Sequence, residues 1–224
     1  MQIVLPHRYR GPLTSANGGY ACGRLAAYVD AEEVEVTLRL PPPLDRPLGV
    51  ECEDGRVLLL DGDALVAEAR PAPVEVQPPT PPVSIADAEA ARERHVRDWS
   101  PDFGECYVCG LREDGLGIRV GPVAGREPLH AAPVVLREAG TEFVWAAVDC
   151  PGAYAVGAEG RGDIVLGRMT ARIDRVPEPR DELVVAGWPL GADGRKLYAG
   201  TALFTPDGEL LALARQTWIA PKSS

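Results

Sequence analysis

Three groups of residues have types and spacings suited to chemistry. Cys106-Tyr-Val-Cys109 has the spacing of half a tetrahedral zinc site or of a redox pair. No second Cys-x-x-Cys or Cys-x-x-His follows. Cys22, Cys52 and Cys150 and the histidines His7, His95 and His130 are scattered, so the pair also reads as a turn with buried thiols opening a strand. Asp149 follows the apolar run Val144–Val148. Burial there would raise its pKa toward the range of a general base. Because Cys150-Pro151 comes next and proline suits a first helical turn, Asp149 reads equally as a helix cap. Asn17-Gly18-Gly19 has the character of a helix start. Asn is a favoured cap or a ligand contact, and glycines let backbone amides approach a neighbour closely.

The remaining composition says what must position these groups. With 46% hydrophobic and 25% charged residues, the 224-residue chain can bury a core and is not disordered. A net charge of −10 leaves no basic face for nucleic acid and disfavours anionic membranes. No apolar run reaches membrane-spanning length, Met1–Arg10 lacks a signal-peptide core, and five cysteines do not pair off. Together these predict a cytoplasmic location. The excess of Arg over Lys, with abundant Ala, Gly and Pro, points to a GC-rich bacterial genome.

The chain repeats itself. Gly18-Gly-Tyr-Ala-Cys-Gly23 is matched by Gly152-Ala-Tyr-Ala-Val-Gly157. The segment from Val36 is matched at nearly the same offset by that from Met169, and Gly62–Arg70 is matched by Asp207–Arg215. Each half reads as a Gly/Ala-rich helix followed by a meander. The helices are Gly18–Val29 and a stretch within Phe143–Val156. The strands are Val34–Leu40, Leu48–Cys52, Val57–Leu60 and Ala64–Ala69, then Val165–Ile173, Leu183–Trp188, Lys196–Phe204 and Leu210–Ile219. Asp-Gly pairs between apolar runs predict tight hairpins. Helices this rich in glycine need tertiary packing, and a sheet wrapped closely around them would supply it. The predicted organisation is an N-terminal repeat over 1–70, a Pro-rich linker and surface connector helix over 71–103, and a C-terminal repeat over 104–224. Ser84-Ile-Ala-Asp87 would cap the connector helix, which would run to about Arg97.

Helix plus antiparallel meander, twice, resembles the double-hotdog acyl-CoA thioesterases. Three pieces carry the resemblance: Asn17-Gly-Gly-Tyr-Ala at the helix entrance, Cys106-Tyr-Val-Cys-Gly110 with Gly115-Leu-Gly-Ile-Arg119 as an opening strand, and Trp145-Ala-Ala-Val-Asp149. The implied fold class is α+β, one continuous sheet around two central helices. The family's His-Gly-Gly is absent, since position 17 is Asn. By the family pattern, Asp149, Thr170 and Gln216 would position a water that attacks a thioester. Asn17, Gly18 and Gly19 would bind the substrate, with helix-start amides facing the carbonyl oxygen. The resemblance implies an acyl-CoA or other acyl thioester as partner, no metal or other cofactor, and a homodimer. The histidines provide no Asp-x4-His or His/Glu pair, which disfavours the hydratase chemistry of related hotdogs. The alternative is a hotdog protein that binds an acyl or lipophilic ligand without turnover.

Overall fold

A computed structural model describes residues 1–96, 101–157 and 163–222. In the first half, β1 (Gln2–Val4) precedes the helix α1 (Gly18–Ala26). The strands β2 (Glu33–Leu38), β3 (Pro47–Glu53), β4 (Arg56–Asp61) and β5 (Ala64–Pro71) follow. After α2 (Ile85–Arg92), the second half opens with β6 (Gly121–Pro122) and β7 (His130–Val135). Two short helices come next, α3 (Thr141–Ala147) and α4 (Cys150–Ala155). The half closes with β8 (Val165–Ile173), β9 (Glu182–Asp193), β10 (Lys196–Phe204) and β11 (Leu210–Ile219). All eight meander strands stand where the hydrophobic runs predict them. Gly55, Gly62, Gly194 and Gly208 sit at the predicted turns with φ of 75, 60, 56 and 91°, the left-handed region that glycine enters without penalty.

The strands form one 11-stranded sheet in the order β1-β3-β4-β5-β2-β8-β11-β10-β9-β7-β6. Each half therefore has its first meander strand, β2 or β8, at the centre, and the short strands β1 and β6 lie at the two edges. The halves join where β2 pairs antiparallel with β8, Val36 opposite Met169. This is the double hotdog that the sequence implies. Val36 and Met169 are fully buried, and with α1, α3 and α4 they belong to the main core on one face of the sheet. On the opposite face of the same strands, Arg172 pairs with Glu33, and Arg168 pairs with Glu35 while donating to Thr37 Oγ1. Arg175 pairs with Glu209. These arginines fill a solvent face.

Two expectations are corrected. Residues Cys106–Arg119 form turns and irregular chain, not an opening strand. The opening strand is β7, concealed by Pro133. Proline is tolerated there because β6 pairs only with His130 and Ala131, so no partner on that side needs the missing N–H. The connector helix is also not a plain surface element. Ser84 caps it as expected, accepting from Asp87 N at 3.1 Å, but it ends at Arg92, and Arg97 lies outside the described residues. Ala88 and Ala91 are fully buried in a second core with Ala131, Val184 and Phe204, on the back of the sheet.

The central helices touch backbone to backbone. A Cβ on Gly23 would lie 2.6 Å from Glu142 Cα and 2.9 Å from Trp145 Cβ; one on Gly19 would lie 2.5 Å from Asp149 Cβ and Trp145 O. The glycine surplus of α1 is thus the contact surface for α3. Gly23→Ala should destabilise the protein by about 1–3 kcal/mol through overpacking. A urea midpoint unchanged from wild type would contradict this close packing.

Candidate active site

The site forms where the backbone between α3 and α4 breaks. In a continuous helix the Val148 carbonyl would bond the Gly152 amide. Here Gly152 N–H donates instead to Asp149 O at 3.1 Å, beside Pro151 in the first turn of α4. Gln216, reaching up from β11, takes the released Val148 carbonyl: its Nε2 donates to Val148 O at 2.6 Å and also to Asp149 O at 3.1 Å. Its Oε1 accepts from Trp218 Nε1 at 2.8 Å. Gly152 gives it room, since a Cβ there would fall 1.6 Å from Gln216 Oε1. Gln216 is fully buried with its amide satisfied at both ends.

This break turns the Asp149 side chain toward α1. Asp149 precedes α4 but makes no side-chain bond to its own helix. Its Oδ2 accepts from Asn17 Nδ2 at 2.8 Å and from Gly19 N at 3.0 Å. Asn17 also fulfils its reading as a cap, because its Oδ1 accepts from Tyr20 N at 2.9 Å at the start of α1. Neither donor to Asp149 is a cation. Oδ1 is buried and no group among the described residues donates to it. Burial disfavours the charged form and raises the Asp149 carboxyl to about 7, against the lowering effect of Gly19 N–H and Asn17. Burial and the neighbouring carboxyl together push the Cys22 thiol well up, so it stays protonated.

A cavity of about 380 Å³ opens on this group. Asn17, Gly18, Asp149, Cys106 and Cys150 line it at the helices, and Pro12, Leu38, Leu40, Phe103, Leu166 and Trp218 are among its apolar walls. The volume is that of a small-ligand site with few polar groups. No histidine lines it.

The sequence-derived residues divide by position. Asn17, Gly18, Gly19 and Asp149 converge. Gln216 lies behind the Asp149 backbone and does not line the cavity. Thr170 does not join them: it stands opposite Arg215 and Glu35 in the ladder, whereas its neighbour Met169 stands opposite Gln216. Strand alternation thus places Thr170 on the other face of the sheet, and the expectation that it shares the site is corrected. Gly19 N–H is committed to the carboxylate rather than to a ligand carbonyl. Cys150 went unassigned in the sequence; it brings a third thiol to the Cys106–Cys109 pair, and only folding shows that.

No family model and no curated protein matches the sequence. Solved structures do match its fold. A hot dog protein of unknown function from Alicyclobacillus acidocaldarius superposes with a TM-score of 0.68 at 14% identity, covering 100% of this chain and 93% of that one. A proposed thioesterase II from Thermobifida fusca gives 0.65 at 16% identity, covering 99% and 92%. The dehydratase domain of a mycocerosic acid synthase-like polyketide synthase gives 0.62 at 16% identity, covering 99% and 90%.

Because the native Asp149 carboxyl lies above the unfolded value of roughly 4, the folded state holds the extra proton between about pH 4 and 7. The contribution is fully present below the unfolded value and is lost as pH rises through the folded one. Asp149→Asn keeps an oxygen for Asn17 and Gly19 and removes this loss. Its stability relative to wild type should rise by up to about 4 kcal/mol from pH 4 to pH 8. Urea unfolding in EDTA checks this; parallel wild-type and variant curves would contradict it. In fold, and over nearly its whole length, this chain is similar to the hotdog thioesterases.

Proposed function

We propose that the chain hydrolyses acyl thioesters, acyl-CoA foremost, with Asp149 as the base that activates water. The observation that carries this reading is a buried carboxylate held by one oxygen, with the other unpartnered, at the wall of an apolar cavity. In the reaction, Oδ1 takes a proton from water as the water oxygen adds to the thioester carbonyl. Negative charge develops on the carbonyl oxygen. Collapse expels the thiolate, which takes the proton back from Asp149 and leaves as a thiol; the product acid then releases its own proton to solvent, and Asp149 is restored as a carboxylate. Carboxylate burial serves this chemistry, because a base near neutrality is ionised and still basic enough to accept the proton.

The positive end of α1 supports the developing oxyanion. Gly19 N–H and Tyr20 N–H are engaged by Asp149 and Asn17, so Gly18 N–H at the cavity wall is the first-turn amide for the carbonyl oxygen. Asn17 fixes the carboxylate, and Gln216 holds the backbone from which it projects. Gln216 is therefore a positioning residue in this reading. The apolar walls would take the acyl chain or the thioester arm.

Ligand binding without turnover is the second reading. The commitment of Gly19 N–H to Asp149, which leaves fewer oxyanion donors, favours it. We further propose that this is a bacterial cytoplasmic protein with repeats over 1–70 and 104–224, and that the chain pairs as a homodimer. No helix among the described residues is long and apolar enough to span a membrane.

A series of acyl-CoA substrates tests the hydrolytic reading. Asp149→Asn should lower kcat by about 100-fold or more with KM little changed. For wild type in EDTA, kcat/KM should rise with pH and level off above about 7, as Asp149 ionises. Absence of turnover on every thioester, with saturable binding of an acyl ligand, would move the assignment to the second reading. An unchanged kcat in Asp149→Asn would remove Asp149 from the mechanism.

A further inference from the structure

The hydrolytic reading uses a carboxylate, an asparagine and a helix end. It leaves three buried thiols unused, two of them, Cys106 and Cys150, on the same cavity wall. Cys106, Cys109 and Cys150 are free, and their sulfurs all lie within 4.8 Å of one another, with Cys106 and Cys150 at 3.9 Å. Three sulfurs bound to one ion at about 2.3 Å would stand about 3.8–4.0 Å apart in tetrahedral or trigonal geometry. The triplet is therefore close to a ligand set before any ion arrives. A disulfide would require one pair to close to about 2.05 Å.

The backbone is built to gather these sulfurs. Gly110 N–H donates to Cys106 O at 2.9 Å and Leu111 N–H to Gly104 O at 3.1 Å. The turn is so tight that a Cβ on Gly110 would meet Cys106 O at 2.4 Å and Cys106 N at 2.7 Å. Cys106-x-x-Cys109-Gly110 thus folds as a closed knuckle with both thiols on one side. The third thiol arrives from the first residue of α4, more than forty positions along the chain.

A hydrogen-bond donor stands beside the cluster: Asn17 Nδ2 lies 3.9 Å from Cys150 Sγ. A donor of this kind orients a metal-bound thiolate and spreads its charge. No His, Asp, Glu or further Cys among the described residues completes a four-ligand set. Cys106 and Cys150 line the cavity, which gives an ion a route to the cluster.

We propose that Cys106, Cys109 and Cys150 form a binding site for one thiophilic closed-shell metal ion, Zn²⁺ or Cu⁺. Three thiolates with no hard oxygen ligand select such ions over Mg²⁺ or Ca²⁺. Each thiol loses its proton to solvent as the ion binds, and no oxidant or reductant takes part.

The test uses the full chain carrying Cys52→Ser, which removes the exposed thiol, purified with a phosphine reductant and a chelator that are then exchanged out. Co²⁺ should bind at one equivalent and produce a near-ultraviolet thiolate-to-cobalt charge-transfer band, and Zn²⁺ should abolish that band by displacement. Cys106→Ser, Cys109→Ser and Cys150→Ser should each lose it, and Cys22→Ala should keep it. If a variant does not fold, X-ray absorption on the Zn²⁺-loaded Cys52→Ser chain decides the matter. A shell of three sulfurs at about 2.3 Å supports the site. A shell of oxygen and nitrogen alone, or no retained ion, overturns it. Competition between equimolar Zn²⁺ and Cu⁺, read by metal analysis, identifies which ion is preferred. Retention of neither, with a Cys106–Cys150 disulfide found by mass spectrometry, also overturns the site.

Discussion

Burial of one carboxylate between two helices that meet without side chains between them is the constraint on which the structure turns. Asp149 Oδ2 takes Asn17 Nδ2 from one half of the chain and Gly19 N–H from the start of α1. Neither contact forms unless α1 and α3 approach to backbone distance, and that approach requires Gly19 and Gly23. The carboxylate also requires the helix to break after Val148. The break in turn requires a polar side chain from the sheet, which Gln216 supplies and Gly152 admits. Removing one partner from a buried polar cluster of this kind leaves the others unsatisfied, at a cost greater than the bond itself.

The same arrangement explains why two hotdog halves share one continuous sheet. The β2–β8 pairing brings Val36 and Met169 into one core, and its opposite face is closed by Arg172–Glu33 and Arg168–Glu35. Those exposed ion pairs contribute little individually. The apolar face and the helix contact therefore hold the halves in register. The cavity lies at that junction, with walls drawn from both halves, such as Leu38 and Leu166.

Much of this was legible in the sequence because it depends on local signals. The meander strands follow from alternation and apolar runs, and the hairpins from Asp-Gly pairs that need a left-handed glycine. The elements that were missed lack such signals. β1 is three residues long, and β7 contains Pro133, which is acceptable only because its neighbour stops short. The burial of α2 depends on Ala88 and Ala91, whose small size is as consistent with a surface helix as with a close contact. At the site, Asp149 and Asn17 stand out by residue type and apolar context. Their contact spans more than a hundred positions and belongs to tertiary structure. Thr170 was misplaced because a one-residue difference in strand register reverses the face. Gln216 enters through the family pattern alone, and its donation to the Val148 and Asp149 carbonyls depends on the break of the helix.

Asn17 and Asp149 are coupled across the helix contact by one buried, charge-assisted hydrogen bond. A double-mutant cycle on unfolding free energy tests it most directly. The variants are Asn17→Ala, Asp149→Ala and the pair, measured above pH 7, where Asp149 is ionised. The account predicts a coupling of about 1.5–3 kcal/mol, the range of a hydrogen bond to a charged group. Additive effects of the two substitutions would contradict it.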